Sequence, residues 1–261
     1  MYRFGLIKPR PVIRAIPWAT LRGHAGVRSI VPPSPDYLTG LPADVGMDGN
    51  DSVGDCFWAA VCHLSDLHRY LVNGGAYAAS PASVALGAYA AATGYDPSQQ
   101  QPDGSNPTDQ GTDPQQGFGW LAAHGLAGDV EKFPPIEIDP TNLADVLQAI
   151  QDCGGVMTGI TVPSSITYDP SQIWDFPPGA TLTDDGHEIL VAKGSPSGNF
   201  GLVSWGSPRY EMTQAFWREC VNQCTAYVDA DWFRATGKTI LGMTVDQLQA
   251  IVGAWRGGDI P

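Results

Sequence analysis

The chain has 261 residues, of which 43% are hydrophobic and 10% aromatic, enough to bury a sizeable core and to exclude a disordered or low-complexity protein. Its formal net charge of −13 excludes a body that binds nucleic acid, which would be repelled. There is no apolar run of about 18 residues, so a membrane-spanning helix is excluded as well.

Residues 1–40 read as an extended, basic, proline-rich arm. Arg3, Lys8, Arg10, Arg14, Arg22 and Arg28 are six of the fourteen basic side chains, and no acid accompanies them before residue 29. Pro9, Pro11, Pro17, Pro32, Pro33 and Pro35 remove backbone donors too often for much helix. They also stand where a secretion signal needs an unbroken apolar stretch, so no signal peptide is expected. The apolar residues Tyr2, Phe4, Leu6, Ile7, Val12, Ile13, Ile16 and Trp18 are too many for a solvated tail. They are expected to pack on a surface away from any cleft, either on this chain or on another protein subunit.

Residues 41–125 form a helical half. Apolar residues at helical spacing from Cys56 to Leu71 end at Asn73-Gly74-Gly75, and further helices are predicted at Pro81–Thr93 and Pro114–His124. Asp96–Asp113 is a polar loop whose carboxylates do not follow the ligand spacing of a calcium loop.

Residues 126–261 are richer in sheet. Strands are predicted at Glu131–Ile138 and Gly155–Val162, flanking a helix at Thr141–Gln151, and then at His187–Ala192 and Asn199–Trp205. Helices at Met212–Gln223 and Thr244–Trp255, with a short strand at Thr225–Asp229 between them, close the chain.

The five cysteines are odd in number and spaced for neither a disulfide framework nor a zinc site, so they read as free thiols in a reducing compartment. Cys220 and Cys224 stand four apart but lack a neighbouring histidine; no metal and no cofactor is expected. Cys56 differs from the rest because Gly-Asn-Asp-Ser-Val-Gly-Asp precedes it and a helix begins with it. Unpaired N–H groups at a helix start favour a thiolate, and an imidazole nearby completes a nucleophile. His63 and His68 share that helix, His24 lies in the arm, and His124 ends a helix. His187 opens a strand and is the candidate partner.

Cys56 and His187 are 131 residues apart, and five blocks in order resemble the papain-like cysteine peptidase superfamily. These are Asn50…Gly54-Asp55-Cys56-Phe57; Asp109-Gln110-Gly111 with Phe118–Gly125; Gly154–Ile160; Gly186-His187; and Val203-Ser204-Trp205-Gly206. The pattern and the tail after residue 210 look most like papain-like proteins encoded by bacteriophages and prophages. The resemblance implies an α+β fold, a helical subdomain packed against a twisted antiparallel β subdomain with a cleft between.

Carried over by position, Cys56 is the nucleophile, His187 the base and acid, Asn50 the oxyanion donor in place of a glutamine, Gly111 a cleft wall and Trp205 a shield over the histidine. The asparagine that should hold the second imidazole nitrogen is replaced by Val203, and Asp185 or Asn199 could take its place. Two functions are implied: a cysteine hydrolase of peptide or other amide bonds, impaired by Val203, or a degenerate structural component of a phage particle. The corresponding locations are a bacterial cytoplasm or a virion.

Overall fold

The computed structural model describes residues 4–7, 15–25, 33–126, 134–228, 232, 237 and 240–257. Tyr2, Val12, Ile13 and the first residues of the strand predicted from Glu131 lie outside them. Described helices are α1 (Trp18–Ala25), α2 (Cys56–Val72), α3 (Ala82–Thr93), α4 (Pro114–His124), α5 (Leu143–Cys153), α6 (Gln214–Cys220) and α7 (Val245–Gly257). Strands are β1 (Ile16–Pro17), β2 (Ile136–Glu137), β3 (Val156–Pro163), β4 (Leu182–Lys193), β5 (Phe200–Ser204), β6 (Ser207–Met212) and β7 (Val221–Ala226), in the spatial order β1-β2-β7-β3-β4-β5-β6. Among the described residues, no helix is long and apolar enough to cross a membrane.

The centre of the sheet is covered on both faces, and the strand sequences show why. All eight residues of β3 are buried, and successive side chains alternate between faces. Val156 and Ile160 join Ile189, Val191 and Leu202 in a core that includes Val146 and Ile150 of α5. Met157 joins Leu190, Ala192 and Val203 in a second core with Val61 and Leu64 of α2. The α5 helix has one strongly apolar face, and Asn142 caps its start by accepting from the Asp145 N–H. Gly154 ends it at φ 78°, a left-handed conformation that glycine adopts without strain.

The α2 helix is different in kind, since every residue from Cys56 to His68 is buried. It runs through the second core and packs on β4. Its polar side chains are therefore paired. His68 Nε2 bonds the Cys153 carbonyl at 2.7 Å, His63 Nε2 the Gly46 carbonyl at 2.8 Å, and Asp66 holds Arg69 and Ser80.

Several sequence expectations are corrected. The arm is not wholly extended: Trp18–Ala25 is helical, and Ile16-Pro17 forms an edge strand parallel to β2, where a proline loses no ladder bond on its solvent side. The sheet is thus mixed rather than purely antiparallel. The helix expected over Met212–Gln223 is three elements. Met212 ends β6, Thr213 caps α6 by accepting from the Phe216 N–H, and the chain straightens at Val221 into β7. Phe216, Trp217, Cys220 and Cys224 mimic a helical stripe, but pairing between β2 and β3 overrides it. Strand β4 begins five residues before His187.

Candidate active site

The turn before α2 is built from residues that tolerate left-handed backbone. Asp48 has φ 55° and Gly49 φ 103°, and the chain then delivers Asp55 and Cys56 to the helix start. Gly54 is fixed from outside the turn: its N–H donates to both oxygens of Asp109, at 2.9 and 3.2 Å. The Tyr89 hydroxyl donates to Asp109 Oδ1 at 2.7 Å and accepts from the Gly111 N–H at 3.0 Å. A buried tyrosine and an aspartate thus brace Gly54 against Gly111, the residue expected in the cleft wall.

Cys56 is only 1% exposed. Burial pushes its thiol up to about 12; the backbone N–H groups of Glu188 and Gly5 oppose that rise, while the Glu188 and Asp55 carboxyls add to it. Glu188 follows His187 directly on β4, so the thiol sits against the strand that carries the candidate base.

The His187 ring is 1% exposed and lies flat on Trp205, with centroids 4.7 Å apart and planes 16° apart. Its Nε2 is 2.9 Å from Ser204 Oγ, and its Nδ1 has no hydrogen-bond partner among the described residues. Burial holds the imidazole down to about 3. Ser204, not Val203, Asp185 or Asn199, meets the second nitrogen. Val203 is in the α2-side core, Asn199 donates to Glu211 at 3.2 Å, and Asp185 is exposed. The signal in the sequence is a hydroxyl one residue along the strand from position 203, on the opposite face from Val203. Asn50 is 2% exposed, its Nδ2 is 3.4 Å from the Val53 carbonyl, and it favours the ionised form of the neighbouring Asp55, whose carboxyl burial otherwise keeps well above the usual range.

Residues 4–7 depart from the expectation that the arm packs away from the cleft, whereas Ile16 and Trp18 are buried in the α5-side core of this chain. The Leu6 N–H donates to the Gly186 carbonyl at 3.1 Å, the Thr112 N–H to the Gly5 carbonyl at 2.6 Å, and the Ile7 N–H to the Thr112 carbonyl at 3.0 Å. The segment is an added strand between the two walls, parallel to Thr112. Phe4 sits edge-on to His187 at 5.6 Å and to Trp205 at 5.9 Å. A cleft of about 240 Å³ remains beside the segment, with Asp109, Asp184 and Asp185 on its rim. The physical reason is that backbone pairing needs no particular side chains, so proline counts and charge say nothing about four residues free of both.

Among the described residues, no three or more His, Cys, Asp or Glu side chains gather as a metal site. A helix that opens on a buried cysteine packs on a sheet strand that carries a histidine, and the fold as a whole is papain-like. The crystal structure of xylellain, a cysteine protease from Xylella fastidiosa, shares the fold: TM-score 0.60, 14% identity, covering 88% of this chain and 97% of that one. No protein-family model and no curated protein matches the chain.

Proposed function

We propose that the protein is a papain-like cysteine hydrolase of peptide or other amide bonds, latent while residues 4–7 fill its cleft. The observation that carries this is the pairing of His187 with Ser204 through one nitrogen, with the other buried and unbonded, one residue from the amide that contacts the Cys56 thiol. Most buried polar groups are hydrogen-bonded, so a buried nitrogen left open beside the thiol-bearing helix is what a base awaiting a proton presents.

In the filled cleft neither group is charged: burial raises the thiol to about 12 and lowers the imidazole to about 3. Departure of the segment admits water and removes the penalty on both ions. The thiol proton then passes to His187, and the start of α2 favours the thiolate. Sulfur attacks the substrate carbonyl, and the C–N bond breaks as the imidazolium returns its proton to the departing amine. Water, deprotonated by the same imidazole, cleaves the thioester and restores the thiol. Ser204 does the work of the expected asparagine by holding Nε2. Asn50 is the candidate oxyanion donor, and its amide, 3.4 Å from the Val53 carbonyl and also hydrogen-bonded to Asp55, exchanges one of these bonds for the oxyanion.

The test is release of a coumarin amine from peptidyl amides by the Gly5→Ala protein, whose added methyl collides with the Gly54 main chain and expels the segment. Hydrolysis that vanishes in Cys56→Ser and in His187→Ala versions is expected. Hydrolysis that survives Cys56→Ser, or none from any amide tried, overturns the reading.

A further inference from the structure

We infer that the cleft is a glycine-selective slot, and that its substrates are polypeptide segments of the form aromatic-glycine-aliphatic, of which Phe4-Gly5-Leu6 is the built-in example. The inference rests on the hydrolase reading for its chemistry and deepens it by naming the substrate class.

The slot is formed by main chain on both sides. A methyl group added at Gly5 would collide with the Gly54 carbonyl, with the carbonyl carbon and Cα of Gly54 just behind it. From the other wall, a methyl at Gly111 would collide with the Gly5 carbonyl, and one at Gly186 with the Leu6 carbonyl. Side chains at a tight contact can rotate aside, whereas peptide groups move only if the chain moves. These peptide groups are not free to move, because the Asp109 carboxylate grips Gly54 and the Tyr89 hydroxyl ties that carboxylate to Gly111. Tyr89 and Asp109 therefore set the width of the slot without reaching the reacting atoms, and act as positioning residues.

The positions on either side are permissive in a defined way. Phe4 covers the His187–Trp205 stack and also faces Tyr168 at 6.2 Å, so an aromatic ring meets an aromatic wall. Leu6 is 7% exposed and lies against Gly159 and Gly186, where an aliphatic side chain is buried but not gripped by polar groups. Ile7, 41% exposed, is outside the selective region. The rim carries Asp109, Asp184 and Asp185, so the slot disfavours segments with acidic flanks.

Occupancy is read by alkylation of Cys56 with iodoacetamide in the full chain, so no turnover is required. Gly5→Ala is expected to expel the segment and quicken alkylation about tenfold or more, since main-chain overpacking cannot be relieved locally. Phe4→Ala leaves the main-chain bonds of Gly5, Leu6 and Ile7 in place and should quicken alkylation less, so Gly5→Ala carries the next step. Acetyl-Phe-Gly-Leu-Ile-amide should then restore slow labelling, and acetyl-Phe-Ala-Leu-Ile-amide should not. Tyr89→Phe, which loosens the brace, should narrow the difference between the two peptides. Unchanged alkylation in Gly5→Ala, equal protection by the two peptides, or protection by neither overturns the slot. Glycine-selective protection without amide cleavage would keep the slot and remove the hydrolase.

Discussion

Replacing Ser204 with alanine isolates the contact that substitutes for the expected asparagine. Ser204 is 3% exposed and His187 1%, so no bulk water reaches the 2.9 Å bond between them. Loss of the hydroxyl would leave both ring nitrogens buried without partners, since Nδ1 already has none among the described residues. An orphaned buried nitrogen costs about 1–3 kcal/mol. In a chain of this size each kcal/mol moves the melting temperature by roughly 2–4 °C, so a fall of about 2–12 °C is expected by circular dichroism. Ser204→Thr keeps the hydroxyl and should recover most of it. In a His187→Phe background the same Ser204→Ala change should cost little, because the nitrogen it would orphan is gone. An unchanged melting temperature, or an equal loss in both backgrounds, would refute the bond as the anchor of His187.

Stability should respond to pH in the sense opposite to ordinary acid denaturation. Asp48 is raised to about 6, and Asp55 and Glu188 well above the carboxylate range, chiefly by burial, so their contribution is fullest at low pH and is lost as pH rises. His187, lowered to about 3, acts the other way, losing stability as pH falls below 6.5. Three carboxyls outweigh one imidazole, so the urea midpoint should rise from about pH 7.5 to about pH 5 and fall below about pH 4, where hydrogen-bonded Asp96, Asp103, Asp139 and Asp169, all lowered, take up protons. Glu188→Gln should flatten that rise; a midpoint that falls steadily from neutrality would contradict the assignment. Asp109→Ala strands the Gly54 N–H and the Tyr89 hydroxyl and should lower stability by about 1–3 kcal/mol in urea, with no loss counting against the brace.

The helices around the cysteine were legible because local signals agreed with the fold. The apolar spacing from Cys56, the proline at the start of α4 and the glycines after α4 and α5 fix ends that tertiary packing does not contest. Strand β3 was legible as an apolar run. The beginning of β4 was not, since Leu182-Thr-Asp-Asp is polar and exposed and becomes strand through pairing with β3. The split of residues 212–226 into β6, α6 and β7 was hidden for the same reason: local pattern favours one helix, and distant strands decide otherwise. The sequence singles out Cys56, His187 and Trp205 by type and position, and the fold stacks His187 on Trp205 and sets the Cys56 thiol against the next residue of the same strand. Ser204 and the Tyr89–Asp109 brace are not legible there, because each acts through a contact between residues far apart in sequence. Residues 4–7 were misplaced because main-chain pairing leaves no mark on composition.

The most direct measurement is the pH dependence of Cys56 alkylation in the Gly5→Ala protein, followed by mass spectrometry of the Cys56 peptide. A thiolate held beside an imidazolium should react at a rate that is already high at about pH 6 and changes little up to about pH 8, while the unaltered chain stays slow throughout. A rate that climbs only with an ordinary thiol titration at about pH 8.5 or above would contradict the pairing of Cys56 with His187.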